Sequence, residues 1–320
     1  MARRSKEIWI LLAISILRGR TMLKKLDKRS LRRDLTAYAF IAPNFIGFAV
    51  FTLVPIVIAF GMSFCDWDGS NPAKFIGIKN FTDLFKDTFF VNSLINTFLY
   101  SVGTVPLTII VSLALAILLN QKIKGRGALR AIACFPYVSS IIAVTTVWRM
   151  LFHPSKGPIN NLLYTAFHVP KENLPQWFTG HLIILSYILF SLWKSMGYYM
   201  VIYLAGLQGI SGELYEASEL DGAGTWQKFK YITWPQLRPT TFFVVIILTI
   251  ACFKIYDTAV LLAGGSNMST SSMVLVAFIY QEAFTKWNMG YASAAAIVLF
   301  LIVLAVTLFQ FKNESKYAND

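Results

Sequence analysis

Three charged side chains sit inside long apolar runs of this 320-residue chain: Lys194, Lys254 and Asp257. On insertion scales each costs about 2.5–3.5 kcal/mol at the centre of a membrane-spanning helix. Lys254 and Asp257 are three apart, a spacing that lets them pair on one helix face. Tyr198, Tyr199 and Tyr256 stand close to them in sequence. Two readings fit these residues. In one, the charges pair inside a helix bundle or against a second membrane chain and never meet a ligand. In the other, they and the tyrosines line a polar route, charged groups bonding hydroxyls and rings stacking on carbon faces.

Other chemistry finds no pattern. His153, His168 and His181 are scattered, with no H-E-x-x-H cluster. Cys65, Cys134 and Cys252 are odd in number, match no metal spacing and read as packing residues. No G-x4-G-K-[ST] phosphate loop occurs, so any nucleotide chemistry belongs to another chain. Arg149 reads as an interfacial residue snorkelling to lipid headgroups. Asn96 and Thr97 read as hydrogen-bonding glue between helices.

The elements that must position these residues are membrane helices. Lys and Arg number 29 against 16 acids, a formal charge of +13. Basic composition alone would suit a nucleic-acid binder, but the apolar residues here are blocked into runs of spanning length, about 20 residues. Six spans are expected, at about 37–64, 94–120, 129–152, 182–207, 240–263 and 287–311. Met1–Leu35 carries eleven Lys or Arg against three acids, and Lys122, Lys124, Arg126 and Arg130 lie between spans two and three. The positive-inside rule therefore places both termini, the 121–130 loop and Ser211–Pro239 in the cytoplasm. The apolar stretch Glu7–Leu17 is too short to span and lacks a small-x-small cleavage site. The first twenty-one residues read as a dispensable extension ahead of a cytoplasmic start at Met22.

One polar stretch between spans four and five, Ser211–Pro239, is longer than a turn requires. It reads as two short helices around a glycine elbow. Ser211 is the expected N-cap, Glu213 and Glu216 fall in the early turns, and Leu214, Ala217 and Leu220 share a face. Asp221-Gly222-Ala223-Gly224 stops the helix, with Gly222 at positive φ. Thr225 is expected to cap the second helix, whose Trp226, Phe229 and Ile232 share a side, and Pro235 to end it. Pro239 fits the first turn of the next span. The elbow has little side-chain bulk, so another backbone can approach it. An amphipathic hairpin lying on lipid is the alternative, but four acids outnumber three bases here, which an anionic leaflet repels.

Glu216-Ala217-Ser218, three residues, Gly222, nine residues, Ile232, one residue and Trp234-Pro235 resemble a known signature, E-A-A-x3-G-x9-I-x-L-P. It marks permease subunits of binding-protein-dependent ABC importers. Ser218 replaces the second alanine and Trp234 the leucine. Further runs are similar to carbohydrate-importer permeases: Gly77, Asn80, Phe81, Leu84, Asp87, Phe90, Leu94, Asn96 and Thr97 before and within span two. Trp148, Leu151, Phe152, Gly157, Ile159 and Asn160 follow span three. Phe253, Tyr256, Asp257, Gly264 and Gly265 come next, with Ser266 in place of a proline. Ala283-Phe284 and Gly290-Tyr291-Ala292-Ser293-Ala294 complete the set.

The resemblance covers roughly 35–312. It implies an all-α integral membrane protein of the type I importer permease fold: six transmembrane helices and a cytoplasmic coupling loop, residues 211–239. The domain reading is a basic segment 1–35, a permease domain 36–312 and a tail 313–320. Glu216, Ala217, Ser218, Asp221, Gly222, Ala223, Phe229, Ile232 and Pro235 are the implied ATPase contacts. Lys194, Tyr198, Tyr199, Lys254, Tyr256 and Asp257 are candidates for a sugar pathway. The implied partners are a second, homologous permease, two copies of a cytoplasmic ATPase and an extracytoplasmic solute-binding protein. No cofactor is expected on this chain, with Mg-ATP bound by the ATPase. The implied mechanism is alternating access. A six-span channel leaves the loop unexplained, and an intramembrane enzyme lacks a catalytic set.

Overall fold

The computed structural model describes residues 28–121, 123–180, 182–265 and 268–317. The expectations on residues 1–21, Lys122, His181 and Ser266 lie outside the described residues. The chain forms two compact units divided after Ile58. Among the described residues four helices are long and apolar enough to cross a membrane, or up to six if each bent pair counts as one span.

The helix Lys28–Phe48 passes through a π-turn, Ala49–Leu53, into Val54–Met62. The turn has a local cause. Val54 donates its N–H to the Ala49 carbonyl, five residues back, directly before Pro55. Proline has no N–H and crowds the carbonyl four residues behind it, so a widened turn relieves the clash without ending the helix.

The second unit is organised on two long helices, Thr88–Asn120 and Leu182–Gln208. The first presents a stripe of buried hydroxyls, Ser93, Thr97, Ser101, Thr104, Thr108 and Ser112. Small polar residues let membrane helices approach closely and bond across the gap. Here Ser112 Oγ donates to the Met196 carbonyl (3.0 Å) and Tyr100 Oη to Ser191 Oγ (2.8 Å). Even a methyl group on Gly103 would lie 2.5 Å from Ile188 Cδ1. Tyr187, Phe190, Met200 and Tyr203 fill the core behind this seam.

Two expected spans are not single helices. The third consists of Arg126–Val138 and Ile141–Leu151, which meet at 95° about Ser139-Ser140. The fifth begins as Arg238–Phe253, leaves helical geometry at Ile255–Tyr256 and resumes as Asp257–Ala263. The sixth helix, Met289–Tyr317, runs on past its apolar part into the expected tail.

Between the first two spans a short antiparallel pair, Cys65–Asp66 with Lys74–Phe75, is the sheet among the described residues. Several residues of the resembling runs are the staples of such loops. Asn80 Nδ2 donates to the carbonyls of Ser63 and Cys65, both at 2.9 Å. Asp87 caps the Thr88–Asn120 helix, accepting from Phe89 N–H (2.8 Å), and also accepts from Tyr291 Oη (3.2 Å). Asn160 bonds the Pro154 and Pro175 carbonyls and accepts from Trp177 Nε1. Gly290 lies so close to the Cys65 carbonyl that no Cβ fits. Asn96 and Thr97 are the helix glue expected of them. Asn96 Nδ2 donates to the Thr270, Ser271 and Met273 carbonyls, and Thr97 Oγ1 accepts from Leu275 N–H at 2.9 Å.

Candidate functional site

The Ser211–Pro239 stretch folds as a helical hairpin. Ser211 Oγ accepts from Glu213 N–H (3.3 Å) and starts the helix Gly212–Leu220, with Glu213 in its first turn. Gly222 ends it at φ +74. Ala223 N–H bonds the Ser218 carbonyl (2.9 Å) and Gly222 N–H the Glu219 carbonyl (3.1 Å). Those paired bonds around a left-handed residue are a Schellman closure, which is why a glycine stands there.

The second helix departs from expectation twice. Its cap is Gly224, not Thr225, which is already helical; Gln227 Oε1 accepts the Gly224 N–H at 2.7 Å. Pro235 does not end it. Thr225–Lys228 passes through a π-turn, Phe229–Thr233, into Trp234–Gln236. Trp234 donates to the Phe229 carbonyl just before the proline, the same device as at Val54 and Pro55. The axis then turns by 63° into Arg238–Phe253, with Pro239 in its first turn as expected.

Two cross-links hold the hairpin shut. Tyr215 Oη and Thr233 Oγ1 share a hydrogen bond at 2.9 Å, and Lys228 Nζ meets Glu219 Oε1 at 2.7 Å. The hydrogen bond from Lys228, then its charge, holds the Glu219 carboxyl below its ordinary range. The hairpin's base is welded to the spans. Leu237 is fully buried, and a Cβ on Gly206 would sit 2.7 Å from Thr240 Oγ1 and 3.0 Å from Leu237 Cδ2. Leu207 is buried at the same junction.

The far side of the hairpin is open. Glu216, Ala217, Asp221 and Gly222 are exposed, while Ser218, Ala223, Phe229, Ile232 and Pro235 are half-buried. The Leu214–Ala217–Leu220 face is uncovered too, Leu220 being 91% exposed. Trp226 is 71% exposed and stacks on Phe229, ring centres 5.5 Å apart. Trp234 of the signature is exposed as well, and Tyr231 adds an exposed ring that the spacing argument did not single out. The four rings lie within nine consecutive residues, a density of aromatics that a composition scan of the loop can find.

The polar residues of the spans separate into two groups. Lys194 Nζ donates to the carbonyls of Pro136 (3.0 Å), Tyr137 (3.5 Å) and Ser139 (3.1 Å). Tyr198 stacks on Tyr137 at 4.5 Å, while Tyr199 is buried, only 4% exposed. Lys254, Tyr256 and Asp257 gather at the break in the fifth span. The expected Lys254–Asp257 pairing on one helix face does not form, because Lys254 caps one helix and Asp257 opens the next. Both are exposed, and Tyr256 packs on Tyr280 at 5.1 Å. The Arg149 guanidinium lies over Gly264, 3.1 Å from where a Cβ would stand. Among the described residues no His, Cys, Asp and Glu group is arranged to hold a metal.

A cavity of about 400 Å³ lies where the 65–87 loop meets the start of the sixth span. Asp66, Asp83, Asp87 and Glu282 line it with Lys286 and Tyr291. Glu282 is buried and pairs with Lys286 Nζ (2.5 Å) and Asn288 Nδ2 (3.0 Å).

The family profile for the binding-protein-dependent transport system inner membrane component matches residues 91–318. The chain is 35% identical over 286 residues to the probable ABC transporter permease protein YurN of Bacillus subtilis (strain 168), covering 88% of this chain and 96% of that one. It is 33% identical to the arabinooligosaccharides transport system permease protein AraP of the same organism (88% and 90% covered). It is 32% identical to the probable starch degradation products transport system permease protein AmyD of Thermoanaerobacterium thermosulfurigenes (85% and 91% covered). Among solved structures it matches a chain of a bacterial ABC transporter involved in the import of the acidic polysaccharide alginate, with TM-score 0.77, 25% identity, and 90% and 98% coverage.

Proposed function

Because the chain belongs to the family of binding-protein-dependent transport system inner membrane components, we propose that it is one of two permease subunits of an ATP-driven carbohydrate importer. The relatives named for arabinooligosaccharides and starch degradation products support an oligosaccharide as cargo. In this reading the chain is a transport subunit and not an enzyme. A cytoplasmic ATPase, present in two copies, binds Mg-ATP and hydrolyses it. A solute-binding protein outside the membrane delivers the sugar.

One observation carries the assignment of the motor's seat. The hairpin is cross-linked within itself by Tyr215–Thr233 and Lys228–Glu219 and packed at its base against spans four and five, yet its far face is bare aromatic and acidic surface. A cross-linked handle with an uncovered face suits a partner that pushes or pulls on it. Closure of the ATPase pair around ATP displaces Gly212–Gln236 and switches the spans from inward- to outward-facing; hydrolysis resets them. The hairpin must then lie in the cytoplasm, with both termini.

The test is topological. A cysteine at Glu216, in a chain whose native cysteines are replaced, is expected to react with an impermeant maleimide in inside-out vesicles and to resist it in right-side-out ones. Purified complex is expected to contain stoichiometric ATPase. Labelling from outside would remove the assignment.

A further inference from the structure

The third span is broken at Ser139-Ser140, within an apolar stretch of sequence, and a lysine of another helix bonds carbonyls at the break. The last turn of a helix leaves its carbonyls without intrahelical partners. In lipid no water takes their place, at a cost of several kcal/mol per group. At the end of Arg126–Val138 the Phe135 carbonyl is taken by Ser139, through N–H (3.1 Å) and Oγ (2.8 Å). Of the four carbonyls that follow, those of Pro136, Tyr137, Val138 and Ser139, the Lys194 ammonium bonds three: Pro136, Tyr137 and Ser139. A cation also complements the negative end of the helix.

The same face of the fourth span grips the half-helix over its next turn. Gly197 lies against the Ala133 carbonyl with no room for a Cβ. Cys134 Sγ reaches the Gly197 carbonyl at 3.5 Å, and Tyr198 stacks on Tyr137. Near the other end of the half-helix, Arg130 Nη2 bonds the Leu119 carbonyl at 2.9 Å, tying it to the Thr88–Asn120 helix. Thirteen residues beyond Tyr198 the fourth span delivers the chain to Ser211 and the hairpin.

We infer that Lys194 is a positioning residue that clamps the broken third span to the fourth, so that both move as one body when the hairpin is displaced. The lysine is thereby assigned to transmission rather than to sugar contact. The motion rests on the proposed importer reading; the clamp itself does not.

The test uses the full complex with Cys65 and Cys252 replaced by alanine and Cys134 by serine, which keeps a donor facing the Gly197 carbonyl. Spin labels at Leu129 and Val147, exposed on the two arms of the bend, report the angle. Lys194→Met is expected to broaden the distance distribution, and Lys194→Arg to restore it. In uptake, Lys194→Met is expected to lower Vmax by roughly tenfold, the scale of losing charged hydrogen bonds, with KM for sugar unchanged. Should Lys194→Met fail to insert, Gly197→Ala, which forces a Cβ into Ala133, is expected to broaden the same distance. An unchanged distribution in these variants, or a raised KM at constant Vmax, overturns the inference. Absence of ATP-driven uptake in the unsubstituted complex would defeat the importer reading alone, because the distance measurement needs no transport.

Discussion

The phenol of Tyr215 and the hydroxyl of Thr233 lie 2.9 Å apart, joining the two helices of the hairpin across eighteen residues of chain. Thr233 is buried and sits at the end of the π-turn forced by Pro235. Tyr215→Phe removes one partner of a neutral bond, a loss of about 0.5–1.5 kcal/mol. The expected outcome is faster amide exchange across Gly212–Gln236 and fewer sugars moved per ATP, with insertion unchanged. Wild-type exchange would show that the bond does not stiffen the hairpin.

Asn96 ties the second span to the segment before the sixth through three carbonyls, and Thr97 answers the Leu275 N–H. Thr97→Val leaves that buried N–H without a partner, at about 1–3 kcal/mol. Asn96→Leu abandons three carbonyls and is expected to be the worse of the two. Thermal unfolding in detergent reads both. Equal stability of Asn96→Leu and wild type would contradict the glue assignment.

Acid acts on the hairpin through Glu219. Lys228 lowers its carboxyl pKa in the fold, so the pair's contribution is present above the ordinary value of 4.5 and is lost as pH falls through the lowered one. Coupling is therefore expected to be flat between about pH 8 and 6 as far as this pair is concerned. The Glu219 carboxylate is exposed and screened by salt, so Glu219→Gln is expected to change uptake little. A steep loss of transport in Glu219→Gln would mean that the carboxylate contacts something outside this chain.

Much of this architecture is legible in the chain because each legible feature has a local cause. Spanning length follows from apolar runs, and the elbow follows from Gly222, whose left-handed backbone no β-branched residue tolerates. The bends are not legible. Ser139-Ser140 and the Lys254–Asp257 segment lie inside stretches that stay apolar on average, and hydropathy counts side chains without seeing which carbonyls lack partners. Lys194 illustrates the gap: its cost inside a span is visible, but its acceptors belong to a helix more than fifty residues away. The rule that proline ends a helix predicts an end at Pro235, but a widened turn upstream satisfies the same steric demand. Asn80, Asp87 and Asn160 stand in runs that resemble importer permeases, and only the fold shows them as loop staples.

The most direct measurement is Gly222→Arg in the assembled transporter, read beside Gly222→Asn. Among the described residues nothing beyond its chain neighbours lies within 4 Å of a Cβ at Gly222, so a side chain leaves that position into open space where a partner would meet it. Asparagine tolerates the left-handed backbone and separates strain from obstruction. The account predicts that Gly222→Arg inserts normally but loses both the ATPase and uptake, while Gly222→Asn retains more of each. Normal sugar-stimulated ATP turnover in Gly222→Arg would contradict it.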